Sequence, residues 1–120
     1  MHKLVILIEP PADQATIDAG WPEFLRYAES MPGLLRESTS RVERWLYGAG
    51  GYYQVHELYF ESLVQAEKAL ASPAGQAAGR LLQHMTRGRM ALFFAEHKED
   101  DLANILKYRP PSAPSSARGA

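Results

Sequence analysis

The sequence contains no cysteine among its 120 residues, which excludes disulfides, cysteine-ligated zinc, iron–sulfur clusters and thiol nucleophiles. The lack of disulfides fits a reducing compartment, and we predict a cytoplasmic protein. Neither sign of charge is in excess, with 13 Lys and Arg against 14 Asp and Glu. A nucleic-acid partner, which needs a basic surface, is therefore not expected. The N-terminal apolar run, residues 4–8, is far shorter than the roughly 20 residues that cross a bilayer and lacks the features of a secretory signal, so no membrane partner is expected.

Four segments have the pattern of β-strands. Residues 3–8 and 90–95 are apolar at nearly every position, as in strands that are buried on both faces. Residues 34–47 alternate and are mostly polar, which is typical of a strand at a sheet edge, and residues 52–60 form a more apolar strand. The glycine-rich residues 48–51 between these two strands predict the turn of a hairpin.

Two helical regions lie between the strands. Apolar residues at helical spacing within 12–31 predict the first helix. Because proline fits best in a first helical turn, we expect the regular part of this helix to begin near Pro22. Ser62 and Gln65 have the spacing of a capping box and predict the start of the second helix. Ser72 and Pro73 predict a restart of that helix, with serine as N-cap and proline at the first helical position, and a loop follows at residues 85–88.

The order strand, helix, strand, strand, helix, strand predicts an α+β, ferredoxin-like βαββαβ fold. Right-handed crossovers place both helices on one face of a four-stranded antiparallel sheet. We assign this domain to residues 1–100 and a short C-terminal helix to residues 101–109. Residues 110–120 are rich in Pro, Ser and Ala, and we expect them to form a disordered tail.

The strands at 3–8 and 90–95 present apolar side chains to both faces of the predicted sheet, although the helices cover only one face. An exposed face of this character exceeds the apolar patch that a soluble monomer usually tolerates. A second copy, packed sheet against sheet about a two-fold axis, would cover it, and we therefore predict a homodimeric α+β barrel. The alternative is that the C-terminal segment folds back over this face, but one short helix covers too little of it.

Three segments resemble the EthD family of the dimeric α+β barrel superfamily: residues 32–34 (PGL), residues 57–63 (ELYFESL) and residues 71–77 (ASPAGQA). The resemblance extends over residues 3–96 and implies a ferredoxin-like protomer whose dimer buries the two sheets face to face. The family is associated with ether-degrading cytochrome P450 systems, and the wider superfamily includes small monooxygenases, isomerases, dehydratases and haem-binding proteins. One position departs from the family, because Phe24 stands where many relatives carry a histidine before the Pro-Gly pair.

The four histidines show no metal-binding pair, so we predict no metal and no cofactor. His56 shares a strand face with Leu58 and Phe60, which is more typical of a core histidine than of a ligand. His84 lies near the end of the second helical region, at an end of the sheet where pockets form.

Glu57 is the predicted proton-transfer residue, with Tyr59 beside it on the same strand. A carboxylate on a central strand is costly unless it is paired, and a buried carboxylate can serve as a general acid or base. The structural alternative is a cross-strand ion pair with Arg41 or Arg44, or a pair across the dimer. The hydroxyl of Tyr59 could orient a ligand or donate a proton.

Aromatic side chains are frequent for so small a domain and predict a pocket for a flat apolar ligand between the first helix and the sheet. Their alternative role is ordinary core packing. The residues expected to line this pocket are Trp21, Phe24, Tyr27, His84 and Phe93.

Two functions remain open from the sequence. The first is a small enzyme or enzyme accessory that binds an apolar or aromatic small molecule in that pocket and supports monooxygenase-type oxidation or proton transfer. Glu57 or Tyr59 would then move the proton. The second is a non-catalytic metabolite-binding or accessory protein that assists an oxygenase, and the missing helix histidine favours it.

Overall fold

The computed structural model describes residues 1–10, 13–48 and 50–108. Its helices and strands follow the predicted order, except that the second helical region forms two helices. The elements are β1 (His2–Ile8), α1 (Gln14–Glu29), β2 (Arg36–Arg41), β3 (Gln54–Phe60), α2 (Leu63–Ala71), α3 (Pro73–Thr86), β4 (Met90–Glu96) and α4 (Leu102–Tyr108). The four strands form one antiparallel sheet in the order β2-β3-β1-β4, which confirms the predicted ferredoxin-like α+β fold.

β1 lies in the middle of the sheet and shows how its two faces differ. Leu4 lies opposite Leu58 of β3 and Phe94 of β4, and this layer packs with Ile6 in the core beneath α1, α2 and α3. We call this side the inner face. Val5 points the other way, because successive side chains of a strand alternate, and we call that side the outer face.

α1 differs from its prediction at its start. The expectation that the regular helix begins near Pro22 is wrong, because α1 begins at Gln14 and contains Pro22 in its interior. Asp13 caps the helix through a side-chain bond to a first-turn amide. Ile17 lies before the proline and is buried on the same stripe as Phe24. Packing of this stripe offsets the backbone hydrogen bond that proline cannot donate.

The two predicted serine caps are confirmed. The Ser62 hydroxyl accepts a hydrogen bond from the Gln65 amide at 3.2 Å, which opens α2. The Ser72 hydroxyl accepts one from the Gly75 amide at 3.1 Å, and Pro73 is the first residue of α3. Each cap satisfies one of the amides that have no partner within the helix.

The hairpin strands are shorter than predicted, and α3 is longer. β2 ends at Arg41 and β3 begins at Gln54, and these two residues pair with each other. The connection between the strands is therefore longer than predicted, and residue 49 of the predicted turn lies outside the described residues. Ile8, the last residue of β1, also pairs with Gln54, so a longer hairpin would extend past the strand that supports it. α3 continues to Thr86 because Met85, in its last turn, still packs into the core.

The chain continues past β4 into α4, where the Asp101 carboxylate accepts a hydrogen bond from the Asn104 amide at 2.7 Å. The apolar side chains of Leu102, Ile105 and Leu106 are exposed on this helix. Residues 109–120, which include the predicted disordered tail, lie outside the described residues. Within the described ranges, none of the helices has the length and apolar character needed to cross a bilayer.

Candidate functional site

His56 is the most deeply buried titratable side chain in the sheet, with 0% exposure. It lies in the middle of β3 on the inner face, opposite Ile6 of β1 and Thr39 of β2. Burial of a histidine at this position agrees with the core interpretation from the sequence. Its surroundings are nevertheless polar as well as apolar, because β2 is the polar edge strand.

Both ring nitrogens of His56 have a hydrogen-bonding partner on β2. Nδ1 lies 2.8 Å from the Thr39 hydroxyl oxygen, and Nε2 lies 3.1 Å from Oε2 of Glu37. The two partners are two residues apart, so the alternation of β2 directs both to the inner face. A hydroxyl, an imidazole and a carboxylate therefore form one continuous hydrogen-bonded row.

Two aromatic rings of α1 cover the imidazole. The ring centroid of Trp21 lies 5.2 Å from that of His56 at an interplanar angle of 83°, and that of Phe24 lies 5.7 Å away at 72°. Both contacts are edge-to-face, which favours a fixed ring orientation. The helix thus excludes water from the imidazole while β2 supplies its polar partners.

Burial decides the charge state of this row. Desolvation lowers the pKa of His56 to about 4, although the charges of Glu29 and Glu57 act in the opposite direction. Desolvation is the largest of three causes that raise the pKa of Glu37 to about 7. The other two are a hydrogen bond that the protonated Glu37 donates to Glu29 and the charge of Glu29. At neutral pH the imidazole is therefore neutral, and Glu37 is close to half-protonated.

A cleft of about 180 Å³ lies between α1 and the β2–β3 edge of the sheet. Its lining residues are Ile17, Asp18, Trp21, Pro22, Thr39, Arg41 and Gln54. Thr39 is the side chain that belongs to both the cleft and the row that contains His56. Arg41 donates a hydrogen bond to Oε1 of Gln54 at 3.0 Å, so the polar end of the cleft is held by a defined contact.

Glu57 and Tyr59, the predicted catalytic pair, lie on the outer face and not in this cleft. They face away from the core because they alternate with the inner-face residues of β3. Glu57 forms an ion pair with Lys3, where the sequence suggested Arg41 or Arg44. The Tyr59 ring lies under the Arg36 guanidinium, 3.9 Å from its centroid.

The five predicted pocket residues are not brought together. Trp21 lines the cleft, and Phe24 lies behind it with 1% exposure. Tyr27 is one turn further along α1 and donates a hydrogen bond to Glu23. His84 is exposed near the end of α3, and Phe93 is exposed on the outer face of β4. A pocket between α1 and the sheet is present, but these last three residues do not line it.

Sequence reasoning missed Glu37 and Thr39 as functional residues. The signal available was their shared strand face with Arg41, three polar residues at alternating positions of a strand. The sequence alone does not give the pairing register, which places this face of β2 beside His56. Within the described ranges, no group of three His, Asp or Glu side chains is arranged to hold a metal ion.

This chain is similar to known proteins over most of its length. No protein-family model matches it. An uncharacterized 11.0 kDa protein from the thcB–thcC intergenic region of Rhodococcus erythropolis is 25% identical over 99 residues, which is 82% of this chain and 96% of that protein.

Solved structures with the same fold include proteins of three kinds. An EthD family protein of Bacillus halodurans has a TM-score of 0.75 and 22% identity over 82% of this chain and 99% of its own. A dimeric ferredoxin-like protein of unknown function from Jannaschia sp. has a TM-score of 0.64 and 16% identity, over 80% and 98% of the two chains. SnoaB, a cofactor-independent oxygenase of Streptomyces nogalater, has a TM-score of 0.62 and 14% identity, over 82% and 94%. These similarities confirm the ferredoxin-like fold and the structural resemblance to an EthD protein.

Proposed function

We propose that this chain, with the ferredoxin-like fold that it shares with the EthD protein of Bacillus halodurans, binds a small aromatic molecule between α1 and the sheet and removes a proton from it. The observation that carries the proposal is the position of Thr39. Its hydroxyl lies at the cleft and is also hydrogen-bonded to the buried His56. A ligand oxygen in the cleft thereby reaches a proton-transfer group that water does not reach.

The size and lining of the cleft favour one or two aromatic rings with an acidic oxygen. A buried space of about 150 Å³ accommodates benzene in another protein, and this cleft has about 180 Å³. Trp21 supplies a flat apolar wall, whereas Arg41 and Gln54 supply hydrogen-bond donors at the other end. Phenols and enols combine these two features.

Oxygenase-type chemistry is compatible with such a site. Dioxygen reacts without a cofactor only with an electron-rich substrate, and deprotonation of a phenol or enol produces one. The Streptomyces neighbour is a cofactor-independent oxygenase of the same fold, which supports this class of reaction by analogy alone. The proton acceptor in this chain would be the row that begins at Thr39.

The second candidate is a binding protein without turnover that assists an oxygenase. It is favoured by Phe24, which stands at the α1 position where the sequence resemblance leads one to expect a histidine. Its buried ring contacts His56 and offers no proton acceptor. Both functions need an occupied cleft, but only the first requires transfer of the ligand proton.

The apolar side chains on the outer face support a homodimer, which is also part of the proposal. Phe93 of β4 is 45% exposed there, next to Val5 and Leu7 of the adjacent strand. A second copy packed on this apolar half of the sheet would remove it from water. The Jannaschia neighbour, which has the same fold, is dimeric.

Binding is tested by the indole N–H resonances of the two tryptophans, with phenol as the probe. Trp21 lines the cleft, whereas Trp45 lies half-exposed in the β2–β3 connection and serves as an internal control. Trp21→Phe and Trp45→Phe assign the two signals. We expect phenol to shift the Trp21 resonance to saturation and to leave that of Trp45 in place. Equal, unsaturable shifts of both would contradict the proposed cleft.

Proton transfer is tested with 4-nitrophenol, whose phenolate form absorbs visible light. We expect the protein at neutral pH to increase the phenolate fraction of the bound probe. Thr39→Val keeps the shape of the side chain and removes the hydroxyl, so it should retain the Trp21 shift and lose the absorbance increase. Binding without any absorbance increase in the unaltered protein would support the non-catalytic alternative.

A further inference from the structure

We propose that Thr39, His56 and Glu37 form a proton relay that leads from the cleft to Glu29 at the surface, and that His56 carries the proton by exchanging tautomers without becoming charged. The relay rests on the proposed function for the origin of its proton. It goes further by naming the residue that finally holds the proton, its route to solvent, and the role of the imidazole.

The row of contacts allows two hydrogen-bonding arrangements of the same atoms. In the first, the Thr39 hydroxyl donates to Nδ1 of His56, and the Nε2–H group donates to the Glu37 carboxylate. In the second, protonated Glu37 donates to Nε2, and the Nδ1–H group donates to the Thr39 oxygen. Distances of 2.8 Å and 3.1 Å fit both, because a hydroxyl and a carboxyl group act as donor or acceptor according to their protonation.

Transfer of one proton converts the first arrangement into the second. The ligand O–H proton passes to Oγ1 of Thr39, the original hydroxyl proton of Thr39 passes to Nδ1 of His56, and the Nε2 proton passes to Oε2 of Glu37. Three bonds to hydrogen break and three form. The net result is an ionised ligand and a protonated Glu37, while Thr39 remains a hydroxyl and His56 remains neutral.

Burial explains why the imidazole transmits the proton instead of keeping it. The ring has 0% exposure and is covered by Trp21 and Phe24, so an imidazolium at this place would lose nearly all its hydration. The low pKa of His56, about 4, agrees with this cost. A relay through the neutral ring avoids the charged state altogether.

The charged groups around Glu37 make it the proton acceptor at neutral pH. Glu29 approaches it from α1, and His56 faces it from β3. On β2 itself, Arg41 shares its face but is engaged with Gln54. The pKa of Glu37, about 7, lets it take up and release a proton near neutrality. Glu29 is exposed at the end of α1, so the proton leaves to solvent through the carboxylate pair.

The test is ¹⁵N NMR of the histidine rings in the ligand-free, full-length protein between about pH 5 and about pH 8. His2→Gln, His84→Gln and His97→Gln assign three of the four rings, and His56 follows by elimination. We expect His56 to stay neutral throughout and to change from the Nδ1–H to the Nε2–H tautomer with a midpoint near that of Glu37. A single tautomer over the whole range, or a positively charged ring near neutral pH, would overturn the relay.

Variants of the acidic residues distinguish the relay from a merely structural histidine. Glu37→Gln removes the titrating partner and should abolish the tautomer change. Glu29→Gln removes the neighbour that raises the pKa of Glu37 and should lower the midpoint by about one pH unit. Glu67→Gln, at an exposed position of α2, should leave the midpoint unchanged. An unaltered midpoint in Glu29→Gln would overturn the exit through Glu29.

The relay and the proposed function fail separately. Absence of the tautomer change while 4-nitrophenol still ionises in the cleft would refute the relay and leave the proposed function in place. A tautomer change in a protein that does not bind phenol would refute the proposed function and leave the relay in place, because the NMR experiment uses no ligand.

Discussion

Glu37 is expected to contribute less to the stability of the protein as the pH rises, and Glu37→Gln is expected to remove this contribution. The pKa of Glu37 is about 7 in the folded protein, against an ordinary value of 4.5. The folded state therefore binds the proton more tightly than the unfolded chain does. Its contribution to stability is fully present below pH 4.5 and is lost as the pH rises through about 7.

The size of the effect follows from these two pKa values. One pH unit of difference corresponds to about 1.4 kcal/mol, so the whole contribution is about 3 kcal/mol. The Glu37 side chain keeps 23% of its exposure, which reduces the effect through solvent screening. Between about pH 5 and about pH 8 we expect the difference in unfolding free energy between Glu37→Gln and the unaltered protein to change by about 2 kcal/mol, in favour of the variant at high pH.

His56 acts in the opposite direction, and the comparison of two proteins separates the two effects. The pKa of His56 is lowered from 6.5 to about 4, so its contribution is present above pH 6.5 and is lost as the pH falls through about 4. In the unaltered protein the two dependences largely cancel over this range. The difference between the variant and the unaltered protein reports mainly on Glu37, because both retain His56 and the burial that lowers its pKa.

Urea unfolding followed by circular dichroism at the two pH values measures this difference directly. Glu67→Gln, at an exposed position of α2, reports the effect of removing a surface carboxylate. A difference for Glu37→Gln that is the same at both pH values, or that grows toward low pH, would refute the raised pKa and its explanation by burial and Glu29.

Two further pairs of variants test the packing and the assembly. Gly75→Ala should destabilise the protein by about 1–3 kcal/mol in urea unfolding, because a Cβ there would lie 2.2 Å from the Ala69 carbonyl oxygen. Gly79→Ala has open space around it and should stabilise α3 by about 1 kcal/mol. Equal effects of the two changes would contradict the close contact between α2 and α3. Phe93→Asp should convert the proposed dimer to a monomer in light scattering. Leu92→Asp should not, because Leu92 is similarly exposed but lies on the inner face of the same edge strand. A dimer that survives both changes would not use the outer face.

Local patterns were sufficient for the framework of the fold. The serine caps at Ser62 and Ser72 were predicted because a cap depends on residues within one helical turn. The ferredoxin-like arrangement, with both helices on one face of an antiparallel sheet, followed from the order of the elements and the handedness of their crossovers. The start of α1 was a local error, because the packing of Ile17 with the rest of the core outweighs the preference of Pro22 for a first turn. The ends of the hairpin strands and of α3 also differ from prediction.

Local patterns could not predict the candidate site. Thr39 and Glu37 meet His56 across 17 and 19 residues of chain, and their contact depends on the register of the hairpin. A slip of one residue would turn both side chains to the other face. The same dependence placed Glu57 and Tyr59 on the outer face, away from the pocket for which the sequence suggested them.

The amino-acid sequence alone therefore determined the elements, their order and the apolar character of β1 and β4 on both faces of the sheet, because these depend on short-range spacing. Only the tertiary structure decided which polar groups share a face with His56 and are sheltered by α1. Burial and proximity to other charges set their pKa values, and both arise only when distant segments of the chain pack together.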